Sequence, residues 1–220
     1  MQRTHSLSTT RLAAQACLVV LCLSEMATAH AWSLTVAAGA RRLFLHVGNG
    51  AVSSVGGNGL FNGTAGTSGA VNLVQVTVPV AQVGNGTDQP MTSNSTQSTS
   101  LYGDANATCP TPASQVMVGA GYRRNTASGN ATLTVSSPAS LTSASGDTIP
   151  FTEISWTVSA PGSSAPNVIP AGSFNGGVQT LATVPGNTYY ENCHTFSYGN
   201  NAMRAAGTYD GRVTYTLSAP

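Results

Sequence analysis

The chain has 220 residues, of which only 7% are charged, and its formal net charge is +1 with no lysine anywhere. No basic stripe is available to neutralise phosphates, so nucleic-acid binding and polybasic attachment to a membrane are both disfavoured. The polar surface must be built from Ser, Thr and Asn, which suit strands and turns better than helices.

In chain order, residues 1–11 carry Arg3 and Arg11 without an acid, residues 12–23 are apolar except for Gln15, and Ala27-Thr28-Ala29 follows. A basic start, a short apolar run and an A-x-A site predict a cleaved secretory signal peptide over residues 1–29. The remaining residues 30–220 are expected to form a single secreted domain, extracellular or at the cell surface and passing through a periplasm. That part has no second apolar run long enough to cross a bilayer as a helix, so no integral membrane segment is expected after processing.

Residues 30–38 alternate through Trp32, Leu34 and Val36, and a second run alternates through Leu43, Leu45 and Val47 after Arg41-Arg42. Side chains of a strand point alternately to its two faces, so each run reads as a strand with one apolar side. Residues 48–70 hold eight glycines and read as a loop. Residues 71–83 read as a strand with Val74, Val76, Val78 and Val80 on one face, interrupted by Pro79 at an edge or bulge. The polar stretch 84–106 reads as a long exposed loop.

Further strands are expected over residues 115–124 (Val116, Val118, Ala120, Tyr122), 131–136 (Ala131, Leu133, Val135) and 148–160 (Ile154, Trp156 and Val158 inward). Val168, Ile169 and Phe174 make a short apolar patch, and strands follow over 178–184 and 189–198. The last run is the cleanest: Tyr209, Val213, Tyr215 and Leu217 share one parity, and Thr208, Asp210, Arg212, Thr214, Thr216 and Ser218 the other. It reads as one half-buried strand. Beyond the leader no segment shows a 3.6-residue stripe, and about eight to ten strands punctuated by Gly, Pro and Asn predict an all-β fold. The expected architecture is an antiparallel β-sandwich, immunoglobulin-like or jelly-roll-like.

Cys109 and Cys193 are the two cysteines outside the leader. In an oxidising compartment a lone pair is most simply a disulfide. A thiol activated by the adjacent His194 is the alternative, disfavoured because neighbours along a strand face opposite ways.

Catalytic signatures are sparse. The Gly-rich stretch cannot be a Walker A loop without a lysine, and no G-x-S-x-G elbow occurs. His30, His46 and His194 lack metal-ligand spacing, and no metal or other cofactor is expected. Glu153, Glu191 and Asp210 could supply a carboxylate pair for glycoside cleavage, but Glu153 and Asp210 fall on outward parities, and an enzyme is not the leading expectation. Sequons at Asn62, Asn85, Asn94, Asn106 and Asn130 all fall in expected loops. Tyr189, Tyr190 and Tyr198 are the aromatics that a glycan- or small-ligand-binding module would use.

The ending Gly207-Thr208-Tyr209-Asp210-Gly211-Arg212-Val213-Thr214-Tyr215-Thr216-Leu217 resembles the C-terminal strand of fimbrial-type (pilin) subunits and of the spore-coat-U-like secreted domains grouped with them. The resemblance implies an incomplete immunoglobulin-like sandwich whose last strand, with Tyr209, Val213, Tyr215 and Leu217, is gripped by a periplasmic chaperone. It further implies self-association by strand addition, for which Trp32, Leu34 and Val36 of residues 30–38 form a donor. The function expected is therefore a non-catalytic structural or adhesive surface subunit. A glycan-binding module is the alternative, and a secreted hydrolase the third.

Overall fold

A computed structural model describes residues 42–49, 72–100, 107–124, 129–159 and 168–220. The expected signal peptide and the strand at residues 30–38 lie outside these. The described part is an all-β, antiparallel sandwich, as expected. Nine of its strands have three or more residues, and five are two-residue ladders.

The first layer is built on β12 (Thr188–Tyr198), the longest strand. On one side β12 pairs β5 (Val116–Arg123), which pairs in turn with β1 (Arg42–Val47). On the other side it pairs β9 (Ile154–Ser159), followed by β10 (Gly172–Ser173). The order is β1-β5-β12-β9-β10, and β3 (Gln89–Pro90) pairs the far end of β12 beyond β5.

The second layer has a central line made of β6 (Ala131–Ser136) and β7 (Ser140–Ser143). One flank carries β11 (Val178–Val184), paired to β6, and β8 (Thr148–Pro150), paired to β7. The other flank carries β14 (Thr214–Ser218), paired to β6, and β13 (Tyr209–Asp210), paired to β7.

The core lies between the layers. Val116, Val118, Ala120 and Tyr122 of β5 meet Ala131, Leu133 and Val135 of β6, with Trp156, Phe174, Val184 and Phe196 alongside, all buried. The alternation read from the sequence at β5 and β6 places these residues on one face, as apolar burial requires. β5 is buried on its other face as well, where Met117 packs against Cys109 and Cys193.

Four expectations are corrected. The final run is two strands rather than one: β13 and β14 pair successive strands, β7 and β6, across the gap at residues 211–213. Parity survives the gap, because the register shifts there by two residues: Asp210 faces Thr142 and Thr214 faces Ser136. The expected strand at 71–83 shrinks to β2 (Val74–Gln75), paired with β4 (Thr92–Ser93). Val76 and Val78 pack on the core without a ladder, and Val80, after Pro79, opens a 3-10 turn and is exposed. Proline cannot donate to a ladder, and the apolar face is buried without one.

The polar stretch after residue 84 is not a featureless loop either. It contributes β3 and β4, and Met91 between them is buried and donates its N–H to the Phe196 carbonyl at 3.0 Å. Residues 148–160 are also interrupted, by a 3-10 turn at Phe151–Glu153 between β8 and β9. β7 (SLTS) holds a single apolar residue, so no alternation marks it in the sequence.

Candidate assembly edge

The side of the sandwich opposite the β9–β10–β11 crossover is bounded by β1 in one layer and β14 in the other. Among the described residues each of the two pairs on one side only, β1 with β5 and β14 with β6. The two strands lie against each other, with Cα atoms within 8 Å and no ladder between them. Their inward residues are incompletely covered. Leu45, Val47, Tyr215 and Leu217 are half-buried on the margin of the core, and Leu43 is 44% exposed. The central residues Leu133 and Val118, by contrast, are fully buried.

Of the residues expected at an assembly edge, Tyr215 and Leu217 stand on β14 and face inward. Val213 lies in the gap before it, half-buried against the core. Tyr209 belongs to β13, where its hydroxyl donates to the Ala205 carbonyl at 2.8 Å. Burial pushes the Tyr215 phenol up from its ordinary value, so it stays protonated throughout the physiological range. Trp32, Leu34 and Val36 lie outside the described residues. Leu43, Leu45 and Val47 of β1 also belong to this edge. Their alternation was visible, but which layer they would join was not.

The outer face of the first layer carries the disulfide. Cys109 and Cys193 are joined, both fully buried, with Cα atoms 5.5 Å apart and a sequence separation of 84. Beside it Glu191 is buried, and its two carboxylate oxygens accept hydrogen bonds from the Thr108 hydroxyl and the Tyr189 hydroxyl, each at 2.7 Å. The Tyr189 hydroxyl lies over Gly119, where a Cβ would collide with it, and Phe44 of β1 meets the same ring edge-on at 5.7 Å. His46 is buried on β1, opposite Gly119 in register. Cys193 and His194 do face opposite ways: the sulfur lies on this outer face, whereas His194 stacks on Trp156 inside the core.

The other candidate groups are dispersed. Tyr189 and Tyr190 point to opposite faces, Tyr190 packing on the core and Tyr189 on the Glu191 carboxylate, and Tyr198 is buried in the core. The three do not form one aromatic platform. Glu153 accepts from the Asn201 backbone and side-chain amides at 3.2 and 2.9 Å and pairs with Arg204 at 3.6 Å. Glu191 serves two hydroxyls on the outer face, and Asp210 is exposed on β13. The sequon asparagines Asn85, Asn94 and Asn130 are exposed, while Asn62 and Asn106 lie outside the described residues.

Among the described residues no group of three or more His, Cys, Asp or Glu side chains could hold a metal ion, and no helix is long and apolar enough to cross a membrane. No protein-family model matches the chain, and no curated protein or solved structure matches it significantly.

Proposed function

We propose that this protein is a secreted, non-catalytic structural or adhesive surface subunit that assembles by strand addition at the β1–β14 side of its sandwich. One observation carries the reading: both layers end on that side in a strand that is paired once among the described residues and whose inward apolar residues are half-covered. An edge strand such as β14, paired on one side only among the described residues, is a template for an incoming strand, and alternating contacts of its side chains give specificity. The buried disulfide fits an oxidising compartment.

The donor is residues 30–38 of a second copy, whose Trp32, Leu34 and Val36 match the two-residue period of the inward residues Tyr215 and Leu217 of β14. A strand laddered to both edges would hold them about 9–10 Å apart, since neighbouring strands are spaced by about 4.8 Å. β1 and β14 already lie closer than that. The incoming strand therefore pairs with β14 and shifts β1 outward, or a periplasmic chaperone holds the edge open until it arrives.

Unheated detergent electrophoresis and light scattering of the purified chain test this reading. A ladder of multimers is expected, collapsing to monomer when residues 30–38 are deleted or when Leu217→Asp places a charge on the inward face of β14. Monomer alone for the unaltered chain overturns it.

A further inference from the structure

Four rings inside the sandwich close on one another. Trp156 of β9 meets His194 of β12 at 6.1 Å with the planes only 5° apart. His194 meets Phe196 at 6.1 Å, Phe196 stacks on Phe174 at 6.2 Å, and Phe174 returns to Trp156 at 4.8 Å. Phe151, from the turn that precedes β9, adds an edge-on contact to Phe174 at 5.1 Å. The quartet thus ties β9 to β12 and ties both to the segment that follows β10, where the chain crosses to the second layer.

One member of the quartet can take a proton. His194 is fully buried, and among the described residues neither ring nitrogen has a hydrogen-bond partner. Asn192, two residues earlier on the same face, contrasts with it, because its side-chain oxygen accepts the Ile169 N–H at 3.1 Å. In register, His194 lies between Val158 of β9 and Val116 of β5. Among the described residues the groups facing it are Val116, Trp156, Val158, Phe174, Asn192 and Phe196, none of which titrates or carries charge. Tyr198 and Tyr215, elsewhere in the interior, are pushed up by burial and stay neutral in acid. Glu191 and His46 belong to the outer face of the sheet.

An apolar ring of the same size would fill this place without orphaned nitrogens, and an imidazole there costs stability even when neutral. Once protonated it must bury two N–H donors and a full charge. The face of Trp156 attracts a cation, but that attraction recovers only part of the lost hydration.

We propose that His194 is an acid trigger: a proton taken up at its imidazole breaks the aromatic quartet and opens the sandwich along the β9–β12 side of the core. Burial holds the imidazole down to about 4 in the folded chain, against 6.5 when unfolded. The unfolded state binds the proton first as pH falls. The stability that depends on a neutral His194 is therefore complete above pH 6.5, declines between 6.5 and about 4, and is gone below. The decline approaches tenfold in the folding constant per pH unit across that interval, about 300-fold in all.

Urea unfolding at pH 7.5, 5.5 and 4.5 tests this, followed by near-ultraviolet circular dichroism and by Trp156 fluorescence in a Trp32→Phe background. The unaltered chain is expected to lose unfolding midpoint steadily with acid, whereas His194→Phe keeps most of its midpoint between pH 7.5 and 4.5. An equal loss in both overturns the proposal. So does a midpoint that does not respond to pH in the unaltered chain. Should His194→Phe not fold, NMR titration of the imidazole in the unaltered chain decides. Titration near 4, coincident with loss of the native Trp156 signals, supports the trigger, and titration near 6.5 with those signals intact overturns it.

Discussion

Asn200 shows how much one residue can hold. It is buried with a positive φ of 51°, a region that Asn tolerates better than most residues. Its side-chain oxygen accepts the Gly84 N–H at 2.8 Å, its amide donates to the Gln82 carbonyl at 2.7 Å and to the Asn85 side-chain oxygen at 3.0 Å, and its own carbonyl accepts the Gly86 N–H at 3.0 Å. The residue at the end of β12 thus anchors the loop leading to β3. Gly84 must be glycine there, since φ is +72° and a Cβ would stand 2.6 Å from the Met203 nitrogen. Replacing Asn200 by Ala removes three side-chain bonds and leaves an unfavourable φ, a loss of about 2–4 kcal/mol. Asn200→Gly relieves the backbone part only, so its chemical-denaturation midpoint should fall between those of Asn200→Ala and the unaltered chain. Equal midpoints for all three would show that the loop is not anchored there. None of this was legible in the sequence, because the partners of Asn200 lie more than a hundred residues earlier in the chain. The opposite orientation of Cys193 and His194 was legible, because strand parity alone decides it.

At the scale of elements, alternation identified faces more reliably than strand limits. β1, β5, β6, β11 and β12 lie where Leu/Val/Tyr alternation put them, because hydrophobic burial on one side of a pleat is a local property. The terminal run failed in a different way. Its parity is continuous, yet the ladder breaks between β13 and β14, since the strand opposite it breaks at Ser137–Ala139, a non-local constraint. Gly211 sits in that break with Phe151 and Leu141 against it: a Cβ would lie 2.6 Å from the Phe151 ring and 2.7 Å from a Leu141 methyl. Gly211→Ala is therefore expected to destabilise by about 1–3 kcal/mol through overpacking, although the sequence pattern alone would tolerate it. A thermal midpoint unchanged within error would mean that the turn at Phe151–Glu153 yields freely. The valines at 74, 76 and 78 failed conversely. They cover the core as read, but Pro79 and a short partner leave only two residues in a ladder, so periodicity reported burial and not pairing.

For the whole molecule, the disulfide is the long-range tie that the sequence made most plain, and its position explains what it does. Cys193 lies on β12, the central strand of the first layer, and Cys109 on the segment leading into β5, so the bridge fastens the entry to β5 over the outer face of the sheet. Thr108 next to it supplies a hydroxyl to Glu191, so the bridge also holds the donor that makes burial of that carboxylate tolerable. What the sequence could not show is that this outer face is buried at all, since Gly119 carries no side chain to mark it and Tyr189 covers it from a neighbouring strand. Closing 84 residues constrains the unfolded chain by about 4–5 kcal/mol in the loop-entropy account. Both sulfurs are buried beside Met117, so paired replacement by Ala leaves a small apolar void and no orphaned charge. Cys109→Ala/Cys193→Ala is expected to lower the urea midpoint by about 2 M, taking a slope of about 2 kcal/mol per molar for a domain of this size. The loss should equal that of the reduced, unaltered chain to within the cost of the void. A double variant as stable as the oxidised chain would show that the sandwich holds the entry to β5 without the bridge, and that Thr108 reaches Glu191 by packing alone.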